Sequence, residues 1–245
     1  MRIAIIYLAA ITGIEVFTNF YNLTGGVICH IILLAALIVH SSMVAESPKR
    51  KLLLSLTLAP LTRIMSLSMP LAQFPQVYWY LIIYPSLFVA AWVAMRRLNF
   101  TARETGLTIR NLPLQLLVAL SGFIFGVLEY LVLRPEPLVS ELTWVSALLP
   151  VFVLVAGTGF VEEFIFRRVV QRASIEALGK WGLPYVAFLF AILHLIHHSV
   201  RDIILVFAIA LFFGWIVKRT GSLLGVILSH SITNILLFLI IPSLI

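Results

Sequence analysis

Long apolar runs recur along almost the whole chain, and they constrain its fold more than any other feature. A helix crossing the hydrocarbon core of a bilayer needs about 20 mostly apolar residues. Runs of that kind fall at 3–20, 23–43, 52–70, 77–95, 113–133, 143–166, 184–199, 202–217 and 222–241. Lipid offers no water to backbone N–H and C=O groups, so such segments must satisfy them internally as helices. The expected fold is therefore all-α, a polytopic transmembrane helical bundle of about eight or nine spans. The runs 184–199 and 202–217 are short, and whether both cross fully stays open. Composition agrees: 62% of the 245 residues are hydrophobic and 11% are charged, against roughly 25% charged in a soluble domain.

The formal net charge of +7 does not point to nucleic acid once its distribution is read. Cytoplasmic loops of membrane proteins collect Lys and Arg. With the N-terminus cytoplasmic, one side receives Arg2, Lys49, Arg50, Lys51, Arg96, Arg97, Arg103, Arg110, Arg167, Arg168, Arg172, Lys180, Lys218 and Arg219. The other side receives Arg134 and Arg201, and Arg63 lies within a span. The opening MRIAIIYLAAITGI has the form of a signal peptide, but the charge pattern works better with the first helix retained. The chain reads as residues 1–112, four spans and a polar cytoplasmic connection, followed by a core at 113–245. A multi-pass protein of the cell membrane is expected. Cys29 is the only cysteine, so it forms no intramolecular disulfide and is read as packing.

Charge inside an apolar span is costly and usually faces a protein interior or a wet cavity. The stretch GFVEEFIFRR, 159–168, places two carboxylates in such a span. Glu163 and Arg167 stand at i and i+4, where acid and base meet on a helix. Glu162 points about 100° away and needs a partner on another helix. A carboxylate so placed suits general acid–base work. In FLFAILHLIHH, 188–198, Phe190 and His194 share a face, while His197 and His198 approach the outer end and are expected to be interfacial. In LSHSITN, 228–234, His230 and Asn234 again share a face. Counted from the span ends, Glu162 lies about 7–8 Å deep, His230 about 12 Å and His194 about 15 Å. Three helices thus bring polar groups to a similar level.

Other polar residues have plainer readings. Glu15 or Glu129 is expected to neutralise Arg63. Asp202 suits a helix N-cap or first turn. Tyr78, Trp79 and Tyr80 look like an interfacial belt. Gly157 and Gly159 permit close helix approach or slight unwinding beside Glu162.

EEFIFR (162–167) fits EExxxR, FAILH (190–194) fits FxxxH and HSITN (230–234) fits HxxxN. In that order, and with KRTGSLLGVILSHSITN closing the run, residues 113–245 resemble the CPBP family of intramembrane proteases. That family comprises type II CAAX prenyl endopeptidases and bacteriocin-processing relatives. The resemblance implies a bundle whose water-filled cavity opens toward the cytoplasm. It implies that Glu162 and His194 activate water, that His230 and Asn234 stabilise the oxyanion, and that Glu163 and Arg167 orient their helix. The expected partners are a membrane-associated or lipidated peptide or protein and the lipid bilayer, with no nucleic acid. The family has been described both as metal-dependent and as glutamate proteases. The expectation is a Glu-activated water with no obligatory metal. The alternative is a divalent ion such as zinc on Glu162, His194 and His230. Two other classes use similar residues. A proton-coupled transporter would more often show inverted repeats, and none is apparent; a non-catalytic binding or immunity protein would keep the helices without turnover.

Overall fold

A computed structural model describes residues 1–69, 76–100, 106, 108 and 111–245. Among them there is helix and no strand, as apolar spans in lipid require. Arg103 and Arg110, assigned above to the cytoplasmic connection, lie outside the described residues, as do most of 101–110 and residue 70. The chain is a multi-pass membrane protein.

The helices are α1 (Arg2–Phe20), α2 (Leu23–Met43), α3 (Pro48–Leu56), α4 (Leu58–Ser68), α5 (Gln76–Arg97), α6 (Leu112–Leu133), α7 (Trp144–Val153), α8 (Gln171–Leu178), α9 (Gly182–Ile192), α10 (Val200–Thr220) and α11 (Leu224–Ile235). Among the described residues the expected spans fall mainly on helix, and six helical stretches are long and apolar enough to cross a bilayer. One of these, Trp144–His197, has 54 residues, far more than the roughly 20 that one crossing uses. Gly179, with φ +61°, interrupts it between α8 and α9. Only Gly takes that conformation without penalty. Leu224–Ile240 is a shorter apolar helix.

Local chemistry explains several boundaries. Asn22 caps α2 by accepting from the Gly25 N–H at 2.6 Å. Thr143 and Ser146 form a capping box at the start of α7, and Ser199 caps α10. Such caps satisfy N–H groups that the helix itself leaves orphaned. The expected single helix over 52–70 is instead two, α3 and α4, separated at Thr57. Pro60 explains the break, because it has no N–H to give the carbonyl four residues back.

Two ends of the bundle differ in charge. Lys51 pairs with Glu176 at 2.8 Å, and the Arg172 guanidinium lies 4.2 Å over Phe100. The start of α3, the end of α5 and α8 therefore meet at one basic end. At the opposite end, the Phe20 and His198 rings touch with centroids 5.2 Å apart. Side chains such as Ile32, Leu117, Ile124 and Leu131 are exposed on the flanks, where lipid is their solvent.

Helices α6 and α11 pack so closely that a Cβ on Gly122 would strike the Ser229 carbonyl. Polar links cross the same seam. The Gln115 side chain accepts from the Gly225 N–H at 2.8 Å, and the Ser121 and Ser229 hydroxyls lie 3.0 Å apart. Interhelical polar bonds and small residues are the usual means of association between helices in lipid.

Candidate active site

The segment bearing the paired glutamates is not a regular α-helix. Leu154–Glu162 and Phe164–Val170 are π-helical, with Glu163 between them. Widened turns of this kind recur at functional sites. They begin beside Gly157 and Gly159, the glycines expected to permit unwinding or close approach. Both also receive a neighbour. A Cβ on Gly157 would enter the Tyr84 ring, and one on Gly159 would strike the Ser231 hydroxyl. Small residues here let α5 and α11 press against the glutamate segment.

The two glutamates then diverge. Glu163 is fully buried. Its Oε2 lies 3.2 Å from Arg167 Nε, the expected i, i+4 partner, though the contact does not have hydrogen-bond geometry. The π-helical winding explains this, because it turns i and i+4 out of the register they hold on an α-helix. Glu163 Oε1 instead accepts from His230 Nδ1 at 2.9 Å. The Arg167 guanidinium lies 4.5 Å over the Phe190 ring. Glu162 is half-buried and finds its partner on α5, where the Tyr84 hydroxyl donates to Oε1 at 2.7 Å.

The histidines are held by their Nδ1 atoms. His194 Nδ1 lies 3.0 Å from the Phe190 carbonyl. A carbonyl only accepts, so the proton sits on Nδ1 and Nε2 is left as an acceptor. His230 Nδ1 likewise donates to the Glu163 carboxylate, so an N–H on its Nε2 requires the doubly protonated ring. Phe190 touches both rings, with centroids 4.8 Å from His194 and 6.2 Å from His230. Phe190, on the face of its helix that it shares with His194, thus packs between the two imidazoles.

A cavity of about 200 Å³ collects these groups: Glu162, His194, His230 and Asn234 line it together with Tyr84, Arg167 and Phe190. All the residues singled out by the three motifs border this space, except Glu163, which stands behind it. A second cavity of about 240 Å³ shares Glu162 and His194 and continues past Thr62, Arg63, Trp79 and His197.

Several expectations change. Of Glu15 and Glu129, only Glu15 neutralises Arg63, at 2.6 Å. Glu129 lines the first cavity instead. His197 was expected to be interfacial only. It is exposed, yet it borders both cavities. The reason is the 3₁₀ turn Leu193–His197 that ends its span, because i and i+3 eclipse in a 3₁₀ helix and His197 falls in line with His194. Of the aromatic trio, Tyr78 is exposed, whereas Trp79 and Tyr80 line cavity walls. Asp202 sits in the first turn of α10 as expected, with Ser199 as the cap. The cavity linings reach helix ends at Tyr80, His197 and Phe238, all at the end away from Lys51 and Arg172. The lining thus leads away from the basic end, toward which the opening was expected. Buried Phe166, Val169 and Val170 fill that end behind Glu162.

Tyr84 and Glu129 were not identified from the sequence as site residues. Tyr84 sits in VYWYLIIYP, which reads as a membrane-interface belt. For Glu129 the only signal was a charge in an apolar run.

Among the described residues no three His, Cys, Asp or Glu side chains gather in a metal-holding group. Tyr84 engages Glu162 Oε1, and the Nδ1 atoms of both histidines are engaged as above, which leaves Glu162 Oε2 and the two Nε2 atoms turned to other partners; an Nδ1–H held by a carbonyl or carboxylate is also the usual second contact of a metal-ligating histidine.

No curated protein and no solved structure matches the chain. Residues 143–236 match the family described as Type II CAAX prenyl endopeptidase Rce1-like. The match starts at the capping box of α7 and ends after α11, and so takes in all three motifs. Residues 113–142, counted above within the resemblance, fall before it. Residues 143–236 are thus similar to that family, and the match supports the resemblance to the CPBP intramembrane proteases that the three motifs carry.

Proposed function

We propose that the protein is an endopeptidase that hydrolyses a peptide bond in a membrane-associated or lipidated protein or peptide. The observation that carries this reading is the shared cavity, where Glu162, His194, His230 and Asn234 from three separate segments face one space. The family's name, with its prenyl substrates, supports a lipid-modified chain as the first class to try.

In the proposed step a water lies between Glu162 and His194. The Glu162 carboxylate takes one of its protons, while His194 Nε2 accepts a hydrogen bond from the other. The resulting hydroxide oxygen bonds to the scissile carbonyl carbon. Negative charge moves to the carbonyl oxygen, where the Asn234 carboxamide and an Nε2–H of imidazolium His230 donate to it. Fixed donors aimed at developing charge supply much of the rate enhancement in many acyl-transfer enzymes. The tetrahedral centre then collapses, the C–N bond breaks, and Glu162 returns its proton to the departing nitrogen. Tyr84 holds one carboxylate oxygen throughout and leaves the other for water. Glu163 holds His230 and does not touch the reacting atoms. The proposal needs no obligatory metal.

The test uses protein purified in detergent and a prenylated-cysteine peptide with a fluorophore and quencher across its last residues. Cleavage that vanishes in Glu162→Gln, with the helical bundle intact by circular dichroism, is the expected result. Equal cleavage by Glu162→Gln protein overturns the assignment.

A further inference from the structure

Arg63 lines the second cavity and takes no part in the reaction above. It comes from α4, outside the family match, and is 4% exposed. Its Nε donates to Glu15 at 2.6 Å, and Glu15 also lies 3.2 Å from His30 Nε2. That pairing occupies one edge of the guanidinium. Arg63 Nη2 is buried and has no partner. A buried charged donor left unmade is costly, so such a group calls for an explanation.

Arg167 is placed differently. It also has unpaired nitrogens, but its planar face lies over Phe190 and near Phe213, at 4.5 and 6.0 Å. Among the described residues no ring covers Arg63 in that way. The neighbouring hydroxyls do not supply a competing donor. Thr62 donates to the Leu58 carbonyl at 2.8 Å, and Ser66 to the carbonyl of Arg63 itself at 3.2 Å. Arg63 therefore borders the cavity as its fixed cation, and Glu162 and His194 line the same space.

We propose that Arg63 is a specificity-determining residue whose free guanidinium edge binds a substrate carboxylate while Glu162 and His194 attack the peptide bond. Arginine suits this task, since its planar fork matches a carboxylate with two parallel hydrogen bonds. Glu15 holds the fork in place from behind. The subsite rests on the endopeptidase reading and selects chains whose carboxylate lies a short reach beyond the scissile bond. That carboxylate can be the chain's own C-terminus or the side chain of an Asp or Glu near it.

The experiment uses purified protein in detergent with an N-acylated, quenched-fluorescent peptide library mixed at its last four positions. Three versions are made: a free acid without Asp or Glu, the matching carboxamide, and a carboxamide ending in Glu. Cleavage of the free acid at least about tenfold faster than of the plain carboxamide, in kcat/KM, is expected from a charge-assisted bidentate contact. Cleavage of the Glu-ending carboxamide at the free-acid rate would support the subsite and identify a side-chain carboxylate as its ligand. In the double variant Glu15→Gln/Arg63→Gln, which removes the buried pair together, the acid-to-amide ratio should fall to about one. Because the readout is a ratio within one preparation, partial loss of folded protein does not move it. Arg63→Lys, which keeps the charge and loses the fork, should give an intermediate ratio. Equal cleavage of all three versions by the wild-type protein, or an unchanged ratio in both variants, overturns the subsite and leaves the endopeptidase reading standing. Absence of any Glu162-dependent cleavage overturns both.

Discussion

The two halves of the bundle each bury a cluster of the same three residue types. Glu15, Arg63 and His30 meet among α1, α4 and α2, and Glu163, Arg167 and His230 meet around α11. All six side chains are nearly or fully buried. Yet the contacts are arranged in opposite ways. In the first cluster the strong bond is Glu15 to Arg63, and His30 makes no hydrogen bond. In the second, the strong bond is Glu163 to His230, and Arg167 leans on aromatic rings. Composition does not separate a structural ion pair from a site. What separates them is the preceding residue in the chain: Glu162, just before Glu163, lines the cavity, whereas Ile14 stands before Glu15.

That contrast can be broken most directly at Glu162. Glu162→Gln should lower kcat by about 10²–10⁴-fold, the range for losing a positioned general base, with the unfolding transition unmoved. An equal loss of stability would mean that Glu162 belongs to the structural class. Next in size, Glu15→Ala and Glu163→Ala should each destabilise by about 3–5 kcal/mol, because each strands a buried arginine. Denaturant titration in mixed micelles measures this. A negligible change in either would show that its arginine is solvated in the native state. Asn234→Ala should cost about 10²–10³ in kcat if it donates to the oxyanion, and a change confined to KM would remove it from that role. Tyr84→Phe deletes one hydrogen bond to Glu162, and about tenfold in kcat is expected; a flat result would make Tyr84 mere packing against Gly157. Smallest of all is the effect of a chelator. Dialysis against 1,10-phenanthroline should leave kcat in place, whereas loss restored by added zinc would replace the glutamate mechanism.

The bundle was legible because lipid imposes so strict a rule on backbone polarity. Run length located the apolar helices, though not the more polar α8, which lies between two runs, and Pro60 divided one run unexpectedly. The motif residues were legible too, since Glu162, His194, His230 and Asn234 are conspicuous as polar groups in apolar spans and their depths could be counted from helix ends. Partners across helices were not. Nothing local tells which of VYWYLIIYP will meet Glu162, because that depends on how closely Gly157 lets α5 approach. Nor does an ideal 3.6-residue period anticipate the π and 3₁₀ turns that swing Glu163 toward His230 and His197 into line with His194. Periodicity fails as a guide where a helix departs from its own period, and here it departs at the site.

The direction in which the cavities run bears on when such a protein can act. If the end holding Lys51 and Arg172 lies in the cytoplasm, the linings that reach Tyr80, His197 and Phe238 lead to the far face, and the proposed endopeptidase would take its targets from there. Cutting would then follow export of the target, and the rate of secretion, not of synthesis, would govern how much is processed.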